Sequence, residues 1–420
     1  MSSGASAPAS TIHPDLADVF RGLEDAGIGW LHLRGMLDGS DDDVDLLVDP
    51  DRVAALTSVV TARGFVQRRA PEHAPHLFFV RYLPAEGRWL VLDVLPAVVP
   101  AGVGSGELAI SARLIARSAV DAQGVRRPDE TDGIWLMILR RALQRGAAGV
   151  REWVASSSAN MSGLKADGPV AQSLDTIVGS GTAARFLSSF EESDDAFKQA
   201  TDAIAARLRR TAKPRSALGR QLRRVRVALP WGAEGKRGIT VAVLGPDGAG
   251  KSTLIDGLVS DIPLGVTTHY LGVFRTTERE AFWRKVPGVT LGLKLVKLRT
   301  RSSHGAYSAR LGHVALFDRH AVDALLRPGP KTFKSTVSYS LLSHSCAKPD
   351  TFVVLDAPGE VMFARKGEHD VETLEERRQR YLDLQDRYPN VAVVDATQSA
   401  DDVLRDVSAL IWSLYSAPPS

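Results

Sequence analysis

The segment Gly245–Thr253, which reads GPDGAGKST, constrains the fold of this 420-residue chain more than any other part of it. It matches the spacing G-x-x-x-x-G-K-[ST] without a mismatch, directly after the apolar run ITVAVL and at the start of a segment with helical character. Glycines at these positions let the backbone fold closely around an anion and point N–H groups at it, and the helix N-terminus adds its positive dipole end. The sequence therefore predicts a phosphate-binding loop between a buried strand and a helix.

The residues of this loop predict a nucleoside triphosphate and a divalent cation as ligands. Lys251 is expected to reach the β- and γ-phosphates, and the Ser252 hydroxyl is placed for Mg²⁺. The other loop residues expected to contact the nucleotide are Gly245, Asp247, Gly248, Ala249, Gly250 and Thr253. We therefore expect a nucleoside triphosphate and Mg²⁺ as cofactors.

The sequence around the loop predicts an α/β domain over residues 238–420. Helical stretches separate five apolar runs rich in β-branched residues, and the runs lead directly into Gly or Asp. These runs are 239–244, 268–271, 314–317, 352–355 and 391–394. Buried strands that alternate with helices indicate a parallel, doubly wound sheet, whose ligands lie at the carboxyl ends of its strands.

Four motifs in order make the region Gly238–Trp412 resemble the thymidylate kinase family. They are GPDGAGKST, VALFDRH (314–320), PDTFVVLDAPGEVMFAR (349–365) and VAVVDATQSADDV (391–403). The resemblance implies a P-loop kinase that moves the γ-phosphoryl group of ATP to a phosphorylated small acceptor. A nucleoside monophosphate such as dTMP is the acceptor expected first.

The resemblance also implies roles for single residues in catalysis. Asp318 would help to place Mg²⁺ and the acceptor, and Arg319 would hold the acceptor's phosphate with its planar fork of donors. Arg365 opens the segment that matches the lid of the family and would neutralise the transferring phosphoryl group. Arg377 and Arg378, in the next predicted helix, are alternatives for that role. The residues that would lie beside the edge of the adenine ring are Asp395, Ala396 and Thr397.

The acceptor segment departs from the family pattern. Where the family carries an Arg-Glu-Pro-Gly-Gly-Thr-like segment, this chain reads HYLGVFRTTEREAFWRK (269–285). Nine Lys and Arg against two Glu between Arg275 and Arg310 suit an anionic acceptor, although a solvated helix face explains the same residues. The acceptor is therefore a nucleoside monophosphate, a phosphorylated sugar or another anion. A nucleotide-operated regulatory protein without a small acceptor is the competing class.

The region 13–126 reads as a small α+β domain with three acidic residues of interest. Asp43 and Asp45 lie two apart in DDDVDLLV, so on a strand their carboxylates share one face, and Asp93 lies on a later strand. Three such carboxylates can hold Mg²⁺, which prefers oxygen ligands. The pattern resembles the nucleotidyltransferase fold, with Leu33–Met36 as the glycine-containing turn that precedes the D-x-D strand. The hydroxyl residue usual after that glycine is absent, so an acidic surface turn and an inactive relative of the fold stay open.

The remaining parts of the sequence predict segments that flank or connect these two domains. Residues 1–12 are expected to be a disordered tail, 127–212 a helical segment and 213–237 a basic linker. Between Arg207 and Arg226 the chain has nine Lys and Arg and no acidic residue. The net charge of the whole chain is only +3, however, so the sequence gives no strong indication of nucleic-acid binding. A homodimer stays open as an assembly state.

The amino-acid composition indicates the cellular compartment and argues against disulfides and a membrane anchor. A single cysteine, Cys346, excludes an intrachain disulfide framework and favours a reducing, cytoplasmic location. No apolar run has the roughly 18 to 20 residues needed to span a bilayer, and the first residues do not resemble a signal peptide. We therefore expect no membrane anchor.

Overall fold

The structure is a computed structural model, which describes residues 12–38, 43–69, 76–100, 107–157, 161, 163–211, 237–273, 289–326 and 332–417. The chain divides into two compact units: Met1–Phe79 with Val91–Leu222, and Val80–Leu90 with Arg223–Ser420. The predicted tail (1–12) and basic linker (213–237) lie outside the described residues, apart from residues 12 and 237. Among the described residues, none of the helices is both long enough and apolar enough to cross a bilayer.

The N-terminal half contains the predicted mixture of helices and strands. Its helices are α1 (Pro14–Asp25), α2 (Val53–Thr61), α3 (Ser111–Arg117), α4 (Glu130–Ser156), α5 (Pro169–Val178), α6 (Thr182–Glu192) and α7 (Asp194–Thr211). Its strands are β1 (Trp30–Arg34), β2 (Val44–Val48), β3 (Val66–Arg68), β4 (Leu77–Leu83), β5 (Arg88–Leu95), β6 (Ala119–Val120) and β7 (Arg126–Arg127). The two strands predicted to carry Asp45 and Asp93 are confirmed as β2 and β5. The pattern missed β3, β6 and β7, which have only two or three residues each and therefore show no periodicity.

Five of these strands form one sheet in the order β1-β2-β5-β4-β3. β1 and β2 are antiparallel neighbours, whereas β2 and β5 are parallel. In that parallel pair Asp45 lies opposite Asp93. The register thus brings together two carboxylates that are 48 positions apart in the chain.

The helical segment shares a core with this sheet. One face of α4, formed by Trp135, Ile138, Leu139 and Leu143, is apolar and buried. It belongs to the same cluster as Leu31 and other residues of the sheet. Hydrophobic burial, the main favourable contribution to folding, therefore links the helices to the sheet within the first unit.

The second unit contains the parallel sheet that the five apolar runs predict. Its strands are β8 (Thr240–Leu244), β9 (Val266–Tyr270), β10 (Val314–Asp318), β11 (Thr351–Asp356) and β12 (Val391–Asp395). Its helices are α8 (Lys251–Asp261), α9 (Val289–Arg310), α10 (Phe333–Ser343), α11 (Gly359–Lys366), α12 (Val371–Leu382) and α13 (Ala400–Ser416). The strand order is β12-β11-β8-β10-β9, with every neighbouring pair parallel.

The order of these strands positions the functional site. β8 lies in the centre, and the chain passes first to one side of it, through β9 and β10, and then to the other, through β11 and β12. All five residues of β8 are buried, as expected for a strand covered on both faces. Ligands of such sheets bind at the carboxyl ends of the strands where the order reverses, which here is the loop after β8.

Candidate active site

The loop between β8 and α8 has the backbone shape that the glycine pattern predicts. Gly248 and Gly250 have φ of +88° and +93°, a region that side chains with a Cβ rarely adopt. A Cβ on Gly248 would also lie 2.5 Å from the carbonyl oxygen of Met362, which belongs to α11. The loop therefore depends on glycine at position 248 for both conformation and space. It leads into the N-terminus of α8, where Ser252 and Thr253 are exposed in the first turn.

Lys251 lies inside this loop and is 8% exposed. Its Nζ donates hydrogen bonds to the carbonyl oxygens of Gly245 and Pro246, at 2.9 and 2.6 Å. Burial, and then the charge of Arg319, lower the pKa of Lys251 to about 8. Phosphate oxygens would restore favourable interactions to this desolvated ammonium group, so the lysine fits the predicted phosphate role.

Arg319 follows the end of β10 and lies beside the loop. It has a φ of +64°, unusual for a residue other than glycine, and its backbone N–H donates to Val243 of β8 at 3.1 Å. Burial alone would lower the pKa of this guanidinium, but the carboxylates of Asp323 and Asp247 raise it, so Arg319 stays charged. Asp318, the last residue of β10, is half-buried at the same edge of the sheet.

Four cationic or ionisable side chains surround the carboxylate of Asp247. Arg319 Nη2 lies 2.5 Å from Oδ1, Arg377 Nη1 lies 3.5 Å from Oδ2, and Lys251 Nζ and His369 Nε2 each lie 3.9 Å from one oxygen. Burial would raise the pKa of Asp247, but Arg319 and Lys251 hold it below its usual value. A phosphate group that enters this cluster would therefore meet several donors already gathered around an anion.

A cavity of about 610 Å³ opens beside this cluster, and we call it the acceptor-side cavity. The side chains that line it include Asp247, Tyr270, Arg319, Asp323, Arg377 and Tyr381. His369 also lines it. Its size suits a small phosphorylated molecule.

A second cavity of about 230 Å³, the base-side cavity, lies next to the same loop. It is lined by loop residues Ala249 and Gly250, by Thr253, and by Ala396 from the turn after β12. Arg365 also lines it and donates from Nη1 to the carbonyl oxygen of Ala396 at 2.9 Å. One of the predicted adenine-edge residues, Ala396, is therefore brought next to the loop.

The three predicted adenine-edge residues have different positions at this cavity. Ala396 is buried and lines it. Asp395 accepts hydrogen bonds from the backbone N–H and the Oγ1 of Thr397, at 2.8 and 2.6 Å, in an exposed turn. Of the three, Ala396 thus forms part of the cavity wall, whereas Asp395 and Thr397 are not among the residues that line it.

The three arginines predicted as candidates for neutralising the phosphoryl group, Arg365, Arg377 and Arg378, lie in different places in the structure. Arg377 lines the acceptor-side cavity. Arg378 instead forms a two-fold ion pair with Asp356 at the end of β11, with Nε–Oδ1 and Nη2–Oδ2 distances of 2.5 and 3.0 Å. Arg365 lines the base-side cavity. Of the three, Arg377 is therefore the one that lines the acceptor-side cavity, and the catalytic role of each stays a prediction.

In the first unit, Asp43, Asp45 and Asp93 converge as predicted for a metal site. One carboxylate oxygen from each lies within 4.8 Å of the others. Burial raises the pKa of Asp45 to about 6. Asp45 Oδ1 is buried without a hydrogen-bond partner among the described residues, while Oδ2 accepts from Arg34 Nε. His76 Nδ1 lies 2.8 Å from Asp93.

This acidic cluster borders a third cavity of about 220 Å³ within the first unit. Arg34, Asp45 and His76 line one part of it, and Arg140 and Gln144 come from α4. Hard oxygen donors next to a buried, unsatisfied carboxylate oxygen fit a divalent cation. The chemistry of the residues thus agrees with the predicted metal, although the nucleotidyltransferase resemblance of this half is not confirmed.

Sequence reasoning missed three residues of the acceptor-side cavity: Asp323, His369 and Tyr381. None belongs to a motif, and Tyr381 is 62 positions beyond Arg319 in the chain. A weak signal was available for Asp323, because an acidic residue stands in the otherwise apolar run AVDALL (321–326). Only the packing of α12 against the turn after β10 brings Tyr381 to Asp323.

Comparison with known proteins supports the resemblance of the part that contains the loop. No protein-family model matches the chain. It is 26% identical over 210 residues to a thymidylate kinase from Oenococcus oeni, with coverage of 42% of this chain and 96% of that protein. It is 29% identical over 211 residues to a probable thymidylate kinase from Thermococcus gammatolerans, with coverage of 41% and 96%. This part of the chain is thymidylate-kinase-like.

A solved structure of thymidylate kinase from Candida albicans is also similar to the thymidylate-kinase-like part. It shares 18% identity with a TM-score of 0.34, over 44% of this chain and 95% of that one. The similarity covers about two fifths of the chain, and the rest lies outside these comparisons.

Proposed function

We propose that the thymidylate-kinase-like part moves the γ-phosphoryl group of ATP to a phosphate oxygen of a small phosphorylated acceptor. The observation that carries this proposal is the position of the loop 245–252 between two cavities. The base-side cavity has room beside Ala396, and the acceptor-side cavity contains Arg319 and Arg377. Similarity to two thymidylate kinases supports a nucleotide-kinase-like phosphotransferase and makes dTMP the first acceptor to test.

The residues around the loop would position the reactants and neutralise their charge. An acceptor phosphate oxygen attacks the γ-phosphorus, the bond from that phosphorus to the β,γ-bridging oxygen breaks, and ADP leaves. Lys251 would contact the β- and γ-phosphates, and Arg319 would exchange part of its pairing with Asp247 for the acceptor phosphate. Arg377 would neutralise charge on the transferring group. Such transfer depends mainly on positioning and electrostatic stabilisation.

Ser252 and Asp318 fit the predicted site for Mg²⁺. A hydroxyl and a carboxylate are hard oxygen donors, and both lie at the carboxyl edge of the central strands, one opening α8 and one ending β10. Bound Mg²⁺ would neutralise phosphate charge. The role of these two residues would be to hold the cation, directly or through its water ligands.

The test is product formation from ATP with a panel of acceptors. The panel contains dTMP, the other nucleoside monophosphates and a set of hexose and pentose phosphates, and ATP hydrolysis without acceptor is measured beside it. We expect ADP and a doubly phosphorylated acceptor in equal amounts. Transfer to a sugar phosphate alone would establish the alternative acceptor class. Slow hydrolysis without transfer would refute the kinase and favour a nucleotide-operated regulatory protein.

Matched variants connect the activity to this site. Lys251→Ala should abolish transfer, whereas Lys198→Ala, an exposed lysine of the first unit, should leave it unchanged. Equal activity of both variants would show that the transfer does not depend on Lys251 and would refute its role.

A second function is favoured by the converging carboxylates of the first unit. We propose that Asp43, Asp45 and Asp93 hold a divalent cation that can present a nucleoside triphosphate, as the nucleotidyltransferase resemblance implies. The buried Oδ1 of Asp45, which has no hydrogen-bond partner among the described residues, supports this proposal, because a cation would satisfy it. Asp43 is the most accessible of the three.

Titration of the full chain with Mn²⁺ tests this second site. The variant Lys251→Ala provides a background in which nucleotide binding at the loop is weakened. Adding Asp45→Asn should remove one class of Mn²⁺ site, while Asp51→Asn, at an exposed carboxylate of the same half, should not. Identical titrations for the two double variants would exclude a metal site at the cluster.

A further inference from the structure

Asp323 is a buried carboxylate in the wall of the acceptor-side cavity. It lies in the 3-10 turn Ala321–Ala324 that follows β10, and it is 2% exposed. Its Oδ1 accepts a hydrogen bond from the Tyr381 hydroxyl at 3.3 Å. Its Oδ2 has no hydrogen-bond partner among the residues that the structure describes.

The neighbouring cation does not satisfy Oδ2. Arg319 Nη1 lies 3.9 Å from it, which is close enough for attraction but too far for a hydrogen bond. Arg319 directs its other terminal nitrogen, Nη2, to Asp247 at 2.5 Å. A buried carboxylate oxygen without a donor is costly, and such atoms in native proteins call for a ligand, ion or functional explanation.

The charges of the cavity indicate which part of an acceptor would meet Asp323. Arg377 and His369 gather near Asp247, so a phosphate would be attracted to that end. A phosphate beside Asp323 would instead be repelled by its carboxylate. The group that satisfies Oδ2 must therefore be a hydrogen-bond donor on the rest of the acceptor.

We propose that Asp323 Oδ2 accepts a hydrogen bond from a hydroxyl or N–H group of the acceptor and thereby selects it. The acceptor is then a phosphate monoester that also carries such a donor on its sugar or its base. This inference rests on the proposed phosphotransfer, and it adds the residue that discriminates between acceptors.

The test combines variants that lack the Asp323 carboxylate with acceptor analogues that lack one hydrogen-bond donor. The probes are dTMP, 3′-deoxythymidine monophosphate, which lacks the sugar hydroxyl, and N3-methyl-dTMP, which lacks the base N–H. For the wild type, kcat/KM should fall about 10- to 100-fold with the analogue that lacks the contacted donor, as expected for a lost hydrogen bond to a charged group. The kcat/KM of Asp323→Ala with dTMP should be lower by a similar factor, and it should fall almost no further when that analogue replaces dTMP.

Two further variants separate recognition from structure. Asp323→Asn keeps the shape of the side chain and an acceptor oxygen, so it should retain part of the preference for dTMP. It serves as the test if the alanine variant is poorly folded. Asp383→Ala removes an exposed carboxylate of the same unit, outside the residues lining the acceptor-side cavity, and should behave as the wild type.

The outcomes distinguish this inference from the proposed function. Equal losses for all three probes in both Asp323 variants, or no loss at all, would overturn the recognition role while leaving phosphotransfer intact. If a sugar phosphate is the acceptor, the same cycle with its monodeoxy derivatives applies and is judged by the same criterion. Absence of transfer to every acceptor of the panel would refute the proposed function and this inference together.

Discussion

Replacing Asp323 by Asn should stabilise the second unit at pH 8. Burial raises the pKa of Asp323 from 3.8 to about 6, against the opposing attraction of Arg319 and Lys251. The folded protein therefore holds a proton that the unfolded chain has lost between about pH 4 and 6, and stability falls as the pH rises through that window. A difference of about 2 pH units corresponds to about 3 kcal/mol, at about 1.4 kcal/mol each. Asn carries no charge and avoids this cost.

Urea unfolding of the full chain at pH 8 and pH 4 measures the effect. The transition of the second unit is identified as the one that ATP moves to higher urea in the wild type but not in Lys251→Ala, because a ligand stabilises the unit that binds it. With a slope of about 3 kcal/mol per molar urea, the midpoint of Asp323→Asn should lie about 1 M higher at pH 8. At pH 4 the two proteins should differ little.

Two results would contradict this reasoning. A midpoint at pH 8 that is unchanged or lower would show that the ionised carboxylate does not destabilise the fold. A gain of equal size at both pH values would assign the effect to packing rather than to charge. Asp383→Asn, at an exposed position, is the control and should shift neither transition.

Three other substitutions test the site. Lys251→Ala should lower kcat by about 100-fold or more with an unchanged circular dichroism spectrum, since removing one donor to a developing charge costs that much; normal turnover would disprove its role. Gly248→Ala should cost about 1–3 kcal/mol in stability or ATP affinity, by thermal unfolding and calorimetry, because its φ is +88° and its Cβ would lie 2.5 Å from an α11 carbonyl. Arg377→Ala should reduce kcat/KM with little loss of stability, whereas Arg378→Ala should mainly lower the melting temperature; the reverse result would exchange their roles.

The sequence by itself determined the local features of the second unit. The loop 245–252 could be predicted because its glycines, Lys251 and Ser252 are contiguous and their conformations depend on a few neighbouring residues. The strands could be predicted because buried parallel strands read as short apolar runs. β9 was predicted at 268–271 but occupies Val266–Tyr270, a partly exposed strand in which polar residues follow Val266 and interrupt the apolar pattern of a buried run.

Only the tertiary structure decided which distant residues meet. The register of β2 against β5 places Asp45 opposite Asp93, and sequence spacing could suggest but not determine that register. One step along α12 separates Arg377, in the cavity, from Arg378, which is paired at β11. These outcomes follow from packing between elements far apart in the chain, because the energy of a long-range contact depends on the whole fold and leaves no local pattern in the residues that make it.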